Sequence, residues 1–358
     1  MTHSTVLVFP FHQEEALDFI QTATRLGLPV VRASSEVYGD RGQDGTVHYL
    51  PYVNESEFDA RLADLIAAQN ISQIYTMHPM IWHKINRMIV MGELQGIRLC
   101  SEDPLKAYCA PYEKAMAWAQ GCGALIDEAF EPLHQPLSNV EYAHLYSGAF
   151  SIPGQSDSGK IELLTRIARH APKGDVVEIG SAYGRSAFAL AVLARAYALG
   201  NVVCVDPWGF EASQDQGSSA AMVNADMKKV DWQRVFEVFR IATAGFDNLA
   251  YIRQMSKDAL ADYQRGCKNQ GLPRDGKAAL GVLGEISILH IDGNHKYELV
   301  KQDIDLWTPY VKRGGWVLID DYEWTFGDGP KRAGDEFLKN CSHRAAFVSG
   351  DTLCIQLM

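Results

Sequence analysis

Apolar runs alternate with helix-spaced segments along nearly the whole chain, and this alternation restricts the fold more than any other feature. An apolar run of about four to eight residues bounded by turn residues reads as a buried strand. Where helices separate such runs, each crossover returns the chain to the same edge and the strands lie parallel. In the first third, TVLVFPF, LPVVRASS, QIYTMH and GIRLCS read as strands. EEALDFIQTATRLG, stopped by Gly27, ESEFDARLADLIAAQNI, capped by Asn54 or Ser56, and WHKINRMIVMGEL read as helices. A further helix is predicted from Glu102 to about Trp118. The stretch after it holds Pro132, Pro136 and Pro153 with little periodicity, so it reads as a linker followed by a loop. Alternation resumes near Lys160: KIELLTRIARHA is a helix, DVVEIG a strand, RSAFALAVLARAYALG a helix ending at Gly200. NVVCVDPW, AYIRQMS, ISILHID and GWVLIDDY follow as strands, with AAFVSG and TLCIQL closing the sheet and KRGG (312–315) as a turn. The expected architecture is α/β throughout: a smaller doubly wound domain over 1–125, a linker over 126–145, and a Rossmann-like seven-stranded domain over 146–358.

A chain of 358 residues suits two such domains. Its net charge of -11 argues against nucleic acid or an anionic membrane as partner, since both reward clustered Lys and Arg. Seven cysteines at irregular spacing, with no CxxC, fit reduced thiols and a cytoplasmic location. The start lacks the basic and apolar regions of a signal peptide, and no run is long enough to span a membrane.

VVEIGSAYGRSAFALA joins a strand to a helix through Glu178, Gly180, Gly184 and Ser186. Glycines let the backbone turn tightly and let a ligand approach, and the helix start offers free N–H groups to a carboxylate or phosphate. The spacing is E-x-G-x-x-x-G, not the G-x-G-x-x-G of dinucleotide folds. An acid ending the next strand, Asp206, suits the ribose hydroxyls of an adenosine cofactor.

Further on, Asp292 follows one strand, Asp320 and Asp321 follow another, and His295 stands three residues past the first acid. Like charges brought together cost free energy unless a proton or a cation lies between them. Carboxylate ligands select a hard cation, here expected to be Mg²⁺, which would lower the pKa of a bound hydroxyl. His295 has the ordinary pKa of a base near neutral pH. Asp303 and Asp305 read as solvent-facing or capping residues of a helix, and His78 and His83 as structural.

Taken together, IPGQSDSGKIELL, VVEIGSAYGRSAFALA, VDPW and the run from ISILHID to GWVLIDDY resemble class I S-adenosylmethionine-dependent methyltransferases. They are most similar to the branch of catechol-type and macrolide-sugar O-methyltransferases. The resemblance covers roughly Tyr146 to Met358. It implies that Glu178, Gly180 and Gly184, with Ser181 and Ser186, hold the methionine end of S-adenosylmethionine. It implies that Asp206 and Pro207 meet the ribose, that Ser256 meets the adenine, and that Trp208 either covers the cofactor or belongs to the core. Asp292 would lie beside the transferred methyl and, with Asp320 and Asp321, ligate Mg²⁺, and His295 would be the base. Catechol-type enzymes have lysine at the His295 position, so this chain sides with the sugar-type branch. The first domain is similar to the small α/β domain that precedes the nucleotide-binding body of ATP-grasp enzymes, which implies recognition or dimerisation. The acceptor implied is a hydroxylated small molecule, met by loops at 209–232 and 323–334. Metal-free methyl transfer through His295, transfer to nitrogen, a nicotinamide-dependent oxidoreductase and a non-catalytic cofactor-binding protein stay open on the sequence.

Overall fold

The computed structural model describes residues 4–36, 47–124, 131–214 and 220–358. The chain divides into two compact units, Met1–Glu113 and Lys114–Met358. Helix α4 (Pro104–Ala124) spans this division, which lies ahead of residue 125, where the sequence reading ends the first domain.

The first unit is a five-stranded parallel sheet, ordered β3-β2-β1-β4-β5. Its strands are β1 (Thr5–Val8), β2 (Val30–Ser34), β3 (Val47–Tyr49), β4 (Ile71–Tyr75) and β5 (Arg98–Leu99). Helices α1 (Glu14–Arg25), α2 (Phe58–Ala68) and α3 (Pro79–Val90) connect them, as the alternation requires. Leu7, Phe58, Leu62, Ile74 and Ile85 form a sealed core.

The second unit opens with α5 (Asn139–Phe150) and α6 (Ser158–His170). From Asn139 onward the stretch expected as linker is therefore helical; 126–130 lie outside the described residues. Ser138 and Glu141 form a reciprocal capping box, and Tyr142 and Leu145 are buried. The cap outweighs the two prolines before it because both lie upstream of the helix. The sheet then follows through β6 (Asp175–Ile179), α7 (Arg185–Ala196), β7 (Val202–Val205), α8 (Ala221–Met227), α9 (Trp232–Thr243), β8 (Leu249–Ile252) and α10 (Ser256–Arg265). A hairpin of β9 (Leu272–Arg274) and β10 (Lys277–Leu280), not anticipated from sequence, precedes β11 (Ile286–Ile291) and α11 (Tyr297–Trp307). The unit closes with β12 (Val311–Ile319), α12 (Gly329–Asn340), β13 (His343–Ser349) and β14 (Thr352–Leu357).

Seven strands pair in the order β13-β14-β12-β11-β6-β7-β8, with β14 antiparallel to both its neighbours. KRGG is not a free turn. It lies inside β12 as a bulge: Ile286 pairs with Val311, but Ile288 pairs with Trp316. The register carries the site. Glu178 on β6 pairs with His290 on β11, and His290 pairs with Leu318 on β12. Ladder bonds continue one step past the strands, from Asp292 N–H to Ile179 C=O at 2.8 Å and from Asp320 N–H to Ile291 C=O at 2.9 Å. Both acids thus emerge side by side at the carboxyl edge of the sheet, where ligands of such folds bind.

Candidate active site

A cavity of about 700 Å³ opens over this edge. Gly180, Ser181, Gly184 and Ser186 line it on one side, and Lys160, Asp292, His295, Asp320 and Asp321 on the other. Gly180 has φ +86°, and a Cβ there would stand 2.0 Å from the Asp292 carbonyl oxygen. Only glycine lets the loop cross so close to the Asp292 segment. Gly184 precedes α7 with no side-chain cap, so the first turn of α7 offers backbone donors at Arg185 and Ser186, both on the cavity wall.

The cavity wall does not include Glu178, Asp206, Pro207, Trp208 or Ser256. Asp206 braces the loop from below: its carboxylate accepts the N–H groups of Ser181 (3.0 Å), Ala182 (3.0 Å) and Trp208 (2.6 Å). Burial raises its pKa, and these donors oppose the rise. Trp208 sides with the core: it is 2% exposed, packs on Phe236 and Phe239, and donates to the Ala182 carbonyl at 2.8 Å. Glu178 is fully buried, accepting from Ser181 Oγ (2.6 Å) and facing His290 Nδ1 (3.1 Å).

Ser256 is turned inward and donates to Asp303. Asp303, read from sequence as facing solvent or capping a neighbouring loop, does not face solvent: it is 5% exposed, while Asp305 is exposed and pairs with Lys301. Burial pushes Asp303 up to about 7. A carboxyl raised in the folded state stabilises the fold at low pH and loses that contribution as pH rises through about 7. Asp303→Asn keeps an acceptor for Ser256 and removes the ionisation. Its melting temperature should exceed that of the parent by several degrees at pH 8.5, at about 2–4 °C per kcal/mol, and match it at pH 5. Equal curves at both values would refute the buried ionisation.

The acids split into two groups. Asp321 does not join Asp292 and Asp320 as expected. Its Oδ2 lies 2.9 Å from His295 Nε2, and the His295 ring lies against Trp324, centroids 4.3 Å apart. Asp321 sits at φ +50°, a backbone turn that swings its side chain away from that of its neighbour. The other group is His290, Asp292 and Asp320, whose ligand atoms all lie within 4.8 Å of one another. His290 was missed from sequence. It is fully buried, with Nε2 3.7 Å from Asp320 Oδ2 and 3.9 Å from Asp292 Oδ2.

Lys160 was missed too. Asp157 caps α6 by accepting the Lys160 N–H at 2.8 Å, which sets Lys160 in the first turn. Its ammonium, 8% exposed as a residue, binds Asp320 Oδ1 and lies 3.4 Å from Asp351. Thr352 Oγ1 donates to the same Asp320 oxygen at 2.7 Å. Burial alone would raise the Asp320 pKa, but His290 and Lys160 hold it far below the usual carboxylate range. Burial and the Asp320 charge push Asp292 well up. His290 would be lowered by burial, yet the Asp320 and Glu178 carboxylates lift it to about 10. One carboxylate charged and its neighbour protonated is how two acids share a site without an added ion.

The donor set fits a divalent cation. Two carboxylates converge, and His290 Nε2 is a buried polar atom with no hydrogen-bond partner among the described residues.

A family model described as a methyltransferase domain matches residues 177–322, from the glycine-loop strand through Asp321. Among solved structures, the O-methyltransferase NovP is 19% identical over 56% of this chain and 80% of its own, with a TM-score of 0.41. The calicheamicin methyltransferase CalS11 is 14% identical over 72% of this chain and 94% of its own, TM-score 0.41. An uncharacterized protein of Acanthamoeba polyphaga mimivirus is 47% identical over 38 residues, so the match spans 11% of this chain and 17% of that relative's length. The match places a methyltransferase domain in the second unit, over residues 177–322.

Proposed function

We propose that the protein methylates a hydroxyl oxygen of a small molecule, such as a sugar or another natural product, with His295 as the base. The observation that supports this most is the shared cavity: the glycine loop, the His295–Asp321 pair and the two converging acids all face one space. S-adenosylmethionine supplies the electrophilic methyl group. A divalent cation between Asp292 and Asp320, expected as Mg²⁺, would supply positive charge beside the reacting oxygen.

The chain's own residues do the rest. Asp321 Oδ2, 2.9 Å from His295 Nε2, holds the imidazole in place. His295 would take the hydroxyl proton as the methyl group passes from the sulfonium sulfur, which keeps the bonding pair, to the oxygen. Trp324 fixes the plane of the imidazole. Arg185 ties down the segment over the cavity by donating to Ile152 C=O (2.9 Å) and Ser156 C=O (2.7 Å).

Calorimetric titration with S-adenosylhomocysteine, followed by labelled-methyl transfer to a panel of hydroxylated acceptors, tests the reading. No binding of the product cofactor would sink it. Transfer abolished by EDTA and restored by divalent ion supports the cation; transfer indifferent to EDTA leaves His295 acting without one. None of these groups lies in the first unit, to which we assign recognition or self-association, and the light-scattering mass of the full chain reads the latter. No helix among the described residues is long and apolar enough to cross a membrane.

A further inference from the structure

We propose that the cation centre is a histidine–dicarboxylate site: His290 Nε2 ligates the ion beside Asp292 and Asp320, and Glu178 positions His290. The ion is then a first-row divalent metal of the Mn²⁺ class in preference to Mg²⁺. This rests on the reading that Asp292 and Asp320 hold a cation, and it departs from the all-carboxylate set expected from sequence.

His290 stands in the middle of β11, on the strand register and not on a loop. Its Nδ1 lies 3.1 Å from Glu178 Oε1. An ionised carboxylate only accepts, so Nδ1 carries the hydrogen and Nε2 is the atom that meets the acids. Nε2 is buried and has no hydrogen-bond partner among the described residues. The gaps of 3.7 and 3.9 Å to Asp320 Oδ2 and Asp292 Oδ2 are too long for hydrogen bonds. Both are shorter than the roughly 4.2 Å that two ligand atoms, each bonded to one ion at about 2.1 Å, can span.

Asp320 is prepared for this arrangement. Lys160 and Thr352 occupy its Oδ1, which turns Oδ2 toward His290. Lys160 therefore orients the ligand and does not fill the site. A carboxylate behind an imidazole, as Glu178 stands behind His290, fixes the tautomer and raises the basicity of the ligating nitrogen. Imidazole nitrogen is a poor ligand for Mg²⁺, which takes oxygen, and a good one for later first-row ions.

Metal-stripped full-length protein would be titrated with Mn²⁺ and with Mg²⁺, and the Mn²⁺ complex examined by pulsed electron paramagnetic resonance for ¹⁴N coupling. The expected result is Mn²⁺ affinity at least about tenfold above that for Mg²⁺, with nitrogen coupling in the parent and none in His290→Gln. Glu178→Gln should keep the coupling and weaken Mn²⁺ binding by about 10–100-fold. Bound Mn²⁺ without nitrogen coupling in the parent would overturn this proposal and leave a carboxylate-held cation standing. No uptake of either ion would overturn both. The parent spectrum decides between these outcomes even where a buried variant fails to fold.

Discussion

His295→Ala should lower kcat for methyl transfer by about 10²–10⁴-fold, the usual contribution of a positioned general base. KM and melting temperature should hardly move. The His295 side chain is 22% exposed and its partner Asp321 19%, so removing the ring strands no deeply buried charge. Asp321→Asn should have a smaller effect of the same kind, because an amide holds the imidazole less firmly than a carboxylate does. A loss under tenfold in His295→Ala would show that the base lies elsewhere.

Lys160→Met should destabilise the second unit by about 3–5 kcal/mol at pH 8, the range seen when one partner of a buried ion pair is removed. Methionine fills much of the same volume, so the loss is of charge and not of packing. In the parent, Asp320 is held far below the usual carboxylate range, so its pairing contributes stability above that range and loses it on acidification. Without the ammonium, Asp320 stays buried beside Asp292 and gains a proton far more readily. The gap between parent and variant should therefore widen from pH 5 to pH 8 in urea unfolding, and Lys160→Arg should recover part of it. A gap independent of pH would mean that Lys160 contributes packing alone.

Much of the second unit could be read along the chain, because its central strands are buried on both faces and stand out as apolar runs between turn residues. The glycine loop, Asp292, Asp320 and His295 were legible for the same reason: each sits at a fixed offset from such a run. What escaped were pairings across long sequence separation. His290 and Glu178 are 112 residues apart and Lys160 and Asp320 are 160, and nothing local marks them as partners. A histidine inside ISILHI and a lysine on the buried face of KIELLTRIA were the available signals, since each puts a polar group where only a partner makes burial tolerable. Asp206 was legible as an acid ending β7 but not in what it touches, because its position shows where the carboxylate lies and not which donors reach it first. α5 was passed over because the prolines drew the eye from the S-x-x-E box behind them.

The register of the central strands has a consequence for how such a protein diversifies. Glu178 and His290 face each other as cross-strand neighbours, and Asp292 and Asp320 leave consecutive strands on ladder bonds. The reactive groups are therefore inherited with the sheet itself. The stretches at 209–232 (described apart from 215–219) and 323–334, expected to meet the acceptor, lie outside the seven strands. Insertions and substitutions there can exchange one acceptor for another while the charge arrangement stays constant, so specificity and chemistry are free to evolve at different rates.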